Sequence, residues 1–272
     1  MFHRWTGSRV KDDIWLRPAF VDKFVSAGYS FRQGGFSDSP FEGLNLGFHV
    51  GDDPQKVAQN RTHVAQCGFG PVDEWVVAKQ VHGNGVAVVG QAERSQGALA
   101  DVLPVPDCDA LVTNEPDTTL VVLTADCVPV LFYDPVHHAI GAAHSGWKGT
   151  TLHIVQQVIL HMNFLYHTEP KDLQVSIGPS IRRCCYEVDD KVAEPVREEF
   201  GAQYLVPRFQ APGKYFLSLQ ACIKSDLRKM GVPTANIDDV GVCTACHTDV
   251  LFSHRAENGR TGRQSGLIRL NG

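Results

Sequence analysis

Apolar residues recur along this chain at two periods, and the change from one to the other marks its elements. From Pro54 to Cys67 a helical stripe of Val57, Val64 and Ala65 follows a cap at Asp52 or Asp53, with Pro54 in the first turn. Arg61 falls on the same inward stripe, four residues after Val57 and three before Val64. A second stripe starts near Thr151 and runs through Leu152, Val155, Ile159 and Met162; a third, over Ser218 to Met230, uses Leu219, Cys222, Ile223 and Leu227 and stops at Gly231. Asp190 to Tyr204 also reads as helix, despite Pro195.

Extended segments lie between these helices. Val76 to Val89 holds two apolar pieces around His82-Gly83-Asn84-Gly85, which predicts a strand, a loop and a strand. Leu120 to Tyr133 is rich in branched and aromatic residues, and Pro129 makes it an edge strand or an interrupted pair. Shorter strands are predicted at Ala139 to Ala143, Leu173 to Ile177, Asp239 to Val242 and Val250 to Phe252. Helix and strand alternate without strict βαβ regularity or internal repeat. The expectation is therefore an α/β fold, one domain over residues 1–272 with mixed β-sheets flanked by helices.

Composition narrows the function more than the fold. A chain of 272 residues that is 43% hydrophobic can bury roughly three quarters of its unfolded surface. A net charge of -5 with mixed signs gives no extended basic face, so nucleic acid is an unexpected partner. No apolar run approaches the roughly 20 residues that span a bilayer, and Met1 to Asp13 lacks the apolar core of a signal peptide. A cytoplasmic location is the expectation, with the eight cysteines as thiols or ligands rather than a disulfide framework.

Three segments carry the candidate chemistry. Gln80-Val81-His82-Gly83, Thr124-Ala125-Asp126-Cys127 and Ala143-His144-Ser145-Gly146-Trp147 each follow an apolar run and each supply a metal-binding side chain. Two imidazoles and a thiolate suit zinc, and three protein ligands leave a fourth position for water or substrate. His82, Cys127 and His144 are thus the candidate ligands. Asp126 could orient a histidine or move a proton, or point to the opposite face. Ser145 to Thr150 leads from strand to helix, a natural anion site. A buried Arg61 must find an anion or a set of carbonyls, so it either pairs internally or meets an anionic substrate. Cys243-Thr244-Ala245-Cys246-His247 matches the attachment pattern for c-type haem, but that chemistry belongs outside the cytoplasm and no export signal is read here; a buried structural turn is expected ahead of a metal-ligand pair or redox disulfide from Cys243 and Cys246. The adjacent Cys184-Cys185 suggests no mechanism. Arg255, Arg260 and Arg263 form a glycine-containing loop that could clamp phosphate or lie in solvent.

Taken in order, Gly34-Gly35-Phe36-Ser37, Gly43-Leu44-Asn45-Leu46 with Asn60-Arg61, the three ligand segments, Asp107-Cys108-Asp109-Ala110-Leu111-Val112-Thr113, Ile177-Gly178-Pro179, and Cys243-Thr244 with Arg263-Gln264 resemble the laccase-domain family of bacterial proteins. That resemblance implies a mixed α/β fold, zinc on His82, Cys127 and His144, and phosphorolysis or deamination of purine nucleosides such as adenosine, inosine and methylthioadenosine. Purine nucleoside and phosphate are then the partners. Candidate substrate contacts are Asn45, Arg61, Gln80, Ser145, Lys148 and Arg263; Asp126, Arg61 and Cys127 are the candidate catalytic residues. Copper, with polyphenol oxidation, is the alternative metal. The twelve histidines include no His-x-His pair of the kind a trinuclear copper cluster uses, and only Met1, Met162 and Met230 could serve as a blue-copper axial ligand. Two further readings make Cys127 the nucleophile of an amide hydrolase acting on cell-wall peptides, or make the metal a loop-fixing element of a binding module.

Overall fold

The computed structural model describes residues 15–272 together with the backbone of Val10 and Lys11, so the reading of Met1 to Asp13 lies almost wholly outside the described residues. Two six-stranded sheets form the centre. The first has the order β1 (Val10–Lys11), β2 (Trp15–Leu16), β3 (Val25–Ser30), β15 (Gln264–Leu270), β7 (Thr118–Thr124), β4 (Trp75–Val77). In the second the order is β14 (Ile237–Asp239), β10 (Gln174–Ile177), β8 (Val128–Asp134), β9 (Ala139–Ser145), β6 (Ala110–Thr113), β5 (Val86–Val88). A small antiparallel sheet of β11 (Glu187–Asp189), β13 (Lys214–Leu217) and β12 (Leu205–Pro207) stands beside them. Both large sheets mix parallel and antiparallel pairs.

Alternation along each strand builds three apolar layers. Leu120 and Val122 of β7 meet Leu131 and Tyr133 of β8 and Ile140 and Ala142 of β9 between the two sheets. Val121 and Leu123, on the other face of β7, pack with Trp75, Trp15 and Val64 of helix α1 (Pro54–Ala65). Val130 and Phe132, on the other face of β8, pack against α3 (Ile154–Tyr166), α4 (Asp190–Phe200) and α5 (Leu219–Lys229), with α2 (Trp147–Thr151) leading in. The expected mixed α/β architecture is present. Among the described residues no helix is long and apolar enough to cross a membrane.

Several helices follow their sequence signals. Asp53 caps α1 by accepting from the Gln55 N–H at 2.9 Å, Ser218 caps α5, and the predicted α5 stripe is buried. The helix expected from Thr151 is instead two, because His153 takes φ 56° and separates α2 from α3; Leu152 is consequently exposed while Val155, Ile159 and Met162 are buried. A similar break at Gly201, with φ 94°, ends α4 before the single turn that contains Tyr204.

The strand expectations needed more correction. Val76 to Val89 does split around His82, but its halves enter different sheets. Leu120 to Tyr133 is the interrupted pair β7 and β8, not an edge strand, since β8 lies between β10 and β9. Pro129 fits there because β10 pairs only from Val130 onward, leaving no ladder bond for the missing N–H. The strand expected over Asp239 to Val242 falls earlier, and Val250 to Phe252 is not a strand: the Phe252 N–H is taken by the Gln264 side chain. β3 and β15, central to the first sheet, were not anticipated.

The inter-sheet layer should dominate stability. Leu131→Ala, in β8 just beyond Cys127, is expected to lower unfolding free energy by about 2–5 kcal/mol, read from the shift in a denaturant midpoint.

Candidate metal centre and cleft

Crossovers between the two sheets create the site. The chain leaves β4 of the first sheet and reaches β5 of the second through His82; it leaves β7 of the first and reaches β8 of the second through Cys127. His144 is the penultimate residue of β9, directly across from Pro129. The ligand atoms of His82, Cys127 and His144 all lie within 4.8 Å of one another, near the span one ion reaches at metal–ligand distances of about 2.0–2.3 Å. The two imidazole rings stand at 89° with centroids 4.8 Å apart.

The Asp109 carboxylate assembles this arrangement. It bonds His144 Nδ1 at 2.7 Å and accepts the backbone N–H groups of Val81, His82 and Gly83 at 3.0, 3.0 and 2.8 Å. One side chain thus fixes a ligand ring and the loop that carries a second ligand. Holding Nδ1 leaves Nε2 of His144 for a metal, the usual carboxylate–histidine arrangement behind a ligand. Burial raises the Asp109 pKa, but the bonds from His144 and the loop N–H groups outweigh it and hold the carboxyl below its ordinary value. Burial likewise opposes ionisation of Cys127, and the neighbouring His144 and His82 bring its thiol down to about 6. The donors thus fit a divalent transition ion such as zinc.

Backbone geometry keeps the ligands close. His82 and Asp126 adopt φ 61° and 94°, turning the chain sharply at each crossover. A Cβ at Gly146 would lie 3.1 Å from Cys127 Sγ and 3.2 Å from His82 Cδ2, so the glycine leaves room for the ligand cluster.

The cluster sits in a cleft of about 770 Å³, within the size range of small-molecule sites. Lys79, Arg255, Arg263 and His254 contribute cationic or titratable groups; Phe48, Leu99, Val102, Leu103 and Pro104 give an apolar stretch. Leu103 is 84% exposed and Leu99 41% exposed, leaving this apolar part accessible.

Only some predicted contacts reach this cleft. Arg61, Gln80, Asp126 and Arg263 line it. Arg61 is buried, and its guanidinium donates to the carbonyls of Leu46, Gly97 and Ala98 with Phe48 stacked on it. Carbonyls, rather than an Asp or another helix end, answer its charge; its direct role is to hold the 97–98 loop. Gln80 bonds both backbone groups of Leu123, at 2.7 and 2.8 Å, extending the β7 edge. Asn45 is spent on Gly47, Asp52 and the Arg263 N–H. Ser145 is buried against Thr150 and Lys148 is exposed beside Trp147; neither lines the cleft, because α2 turns that segment toward the other helices.

Asp126 occupies a different role from the histidine-orienting one considered for it. Its carboxylate accepts from Thr244 Oγ1, Ser253 Oγ and the Arg255 N–H at 2.6, 2.7 and 2.6 Å, tying the ligand loop to the C-terminal segment. Asp109 takes the histidine instead. Its position immediately before β6 gave no periodic signal, although it was part of the Asp-Cys-Asp segment in the resemblance. Lys79, His49, Tyr186 and His254 were also missed, because cleft lining follows from folding of loops. Burial, with Arg263, Arg61 and His144 nearby, lowers the His49 pKa to about 4.

Residues 26–271 match the family described as multi-copper polyphenol oxidoreductase laccase. The chain belongs to that family. It is 38% identical over 258 residues to purine nucleoside phosphorylase YlmD of Geobacillus stearothermophilus, covering 93% of each chain. It is 35% identical over 267 residues to purine nucleoside phosphorylase YlmD of Bacillus subtilis, covering 98% of this chain and 96% of the relative. The crystal structure of YlmD from Geobacillus stearothermophilus superposes with a TM-score of 0.91, at 36% identity over 97% of this chain and 98% of that one. The crystal structure of hypothetical protein YfiH of Bacillus licheniformis also gives 0.91 at 35% identity, over 97% of this chain and 98% of its own.

Two substitutions separate ligand positioning from scaffolding. Asp109→Asn should weaken metal binding by about 10–100-fold, measured by competition with a chromophoric chelator. Arg61→Ala should leave three buried carbonyls without their donor and lower stability by at least about 3 kcal/mol, measured by denaturant unfolding. That reverses the ordering expected if Arg61 served phosphate alone.

Proposed function

We propose that this protein is a zinc-dependent purine nucleoside phosphorylase that also deaminates adenosine. The observation that carries the reading is the three-donor cluster opening into a cleft that has cationic groups and an accessible apolar stretch. A nucleoside and phosphate need both: charge for the phosphate, and an apolar surface for the base. The names of the relatives support the same reaction class.

When bound, the ion supplies Lewis acidity and lowers the pKa of a coordinated water. The residues of the chain do the rest. His82, Cys127 and His144 would hold the ion, and Asp109 fixes the tautomer of His144. Lys79 is placed to take phosphate through charge-assisted hydrogen bonds. Its ammonium has no side-chain partner among the described residues. Arg263 borders the same space, its Nη1 already anchored on the carbonyls of Thr261 and Gly262. Leu99, Val102 and Leu103 provide the surface on which the purine lies. Asp126 and Arg61 act by positioning, the first by bracing the Cys127 turn and the second by holding the loop before Leu99.

Copper chemistry finds less support in the residues. Met162 is packed in the core beside Gly141, and neither it nor Met230 lines the cleft. A nucleophilic Cys127 would require the thiolate to act without metal.

Incubation with adenosine and phosphate should form adenine, ribose 1-phosphate, inosine and hypoxanthine, resolved by chromatography, and chelation should abolish turnover. No product from protein carrying stoichiometric zinc would defeat the proposal, and nucleoside turnover surviving chelation would defeat its metal dependence. Lys79→Ala should raise the KM for phosphate about tenfold, the loss of roughly 1.4 kcal/mol, with metal content unchanged.

A further inference from the structure

Away from the cleft floor, four cysteines converge from two distant segments. We propose that Cys184, Cys185, Cys243 and Cys246 form a second metal centre, which binds a thiophilic divalent transition ion such as zinc and locks one wall of the cleft. This centre is independent of the nucleoside reading, since its donors and its test do not involve substrate.

The geometry favours an ion over a disulfide. All four sulfurs lie within 4.8 Å of one another, with Cys185 and Cys246 at 3.3 Å and Cys184 and Cys246 at 3.6 Å. A disulfide would need about 2.05 Å. Four thiolates around zinc at about 2.3 Å stand roughly 3.8 Å apart, much closer to the spacing seen, and an all-sulfur tetrahedral set is a typical structural zinc site.

The surroundings match a thiolate centre. Cys243 and Cys246 are joined by a single 3-10 turn, and Cys243 Sγ receives N–H bonds from Arg182, at 3.4 Å, and from Cys246. Such N–H groups disperse charge on ligand sulfur. Four thiolates on a divalent ion carry a net charge of about -2, and the Arg182 guanidinium lies close enough to interact with Cys243 and Cys184. Asp239 holds that guanidinium through two bonds, at 2.8 and 2.9 Å. The two cysteine segments are joined by backbone as well, with Ser180 N–H donating to Val242 and Thr244 N–H donating to Ser180. The donor set is thus built into the fold.

Position gives the centre a consequence. Ile181 and Tyr186 bracket Cys184 and Cys185 and line the cleft, while Thr244, between the other two cysteines, bonds Asp126 beside Cys127. An ion on the four sulfurs would hold both segments against the crossover that carries the first centre.

The test uses reduced full-length protein. Cys127→Ala removes the thiolate of the first centre, so cobalt titration of this variant should still give one tightly bound ion with intense thiolate-to-cobalt charge-transfer absorption. Adding Cys246→Ser should reduce that absorption and weaken cobalt binding at least tenfold. Absence of the band in Cys127→Ala, or an identical band after Cys246→Ser, would overturn the proposal. Wild-type protein provides a check that needs no variant: zinc should slow alkylation of Cys184 and Cys246, both exposed, at least tenfold, as mapped by mass spectrometry. Equal rates with and without chelator, or recovery of a Cys185–Cys246 disulfide in place of bound metal, would also overturn it.

Discussion

The Asp109 carboxylate is the constraint from which the site follows. A carboxylate at the entrance to β6 has room for several donors, and here it takes an imidazole N–H and three successive backbone N–H groups. Those donors come from the end of β9 and from the crossover after β4. Each ligand loop alone would lose conformational freedom on ordering, at about 1–2 kcal/mol per residue for the backbone, and shared bonds to a buried anion offset part of that cost.

Around this anchor the two-sheet architecture does the remaining work. A chain that passes from one sheet to another must turn, and turns at His82 and Asp126 use positive φ, placing His82 and Cys127 at the sheet ends rather than within a ladder. Two such crossovers lie side by side because β4 pairs with β7 in one sheet while β5 and β8 lie on either side of the β6–β9 pair in the other. The ligands are therefore far apart in sequence yet adjacent in space. Arg61 and Asp126 extend the same logic outward, one binding carbonyls of the 97–98 loop and the other binding donors from the C-terminal segment.

Much of this was legible from residues with strong local signals. Pro54 after Asp53 marked the start of α1, and the apolar stripe of α5 appeared as spaced. The three ligand segments were visible because each places a metal-binding residue after an apolar run. Signals failed where tertiary structure decides. β3 reads Val-Ser-Ala-Gly-Tyr-Ser, too polar to announce itself as the centre of a sheet, and β15 carries Arg269, whose ion pairs with Glu74 and Asp117 are invisible along the sequence. His153 gives no warning that it will interrupt a helix. Asp109 looked like one acid among thirty, since its four donors become its neighbours only after both sheets have formed.

The central claim is that two imidazoles and one thiolate, held by a buried carboxylate, share one ion that keeps a coordination position toward the cleft. Anomalous diffraction at the zinc edge, from crystals grown with zinc, tests it most directly. A peak within bonding distance of His82, His144 Nε2 and Cys127 Sγ, with its fourth ligand from solvent, is the predicted result. No peak there, or a fourth protein side chain closing the coordination sphere, would contradict it.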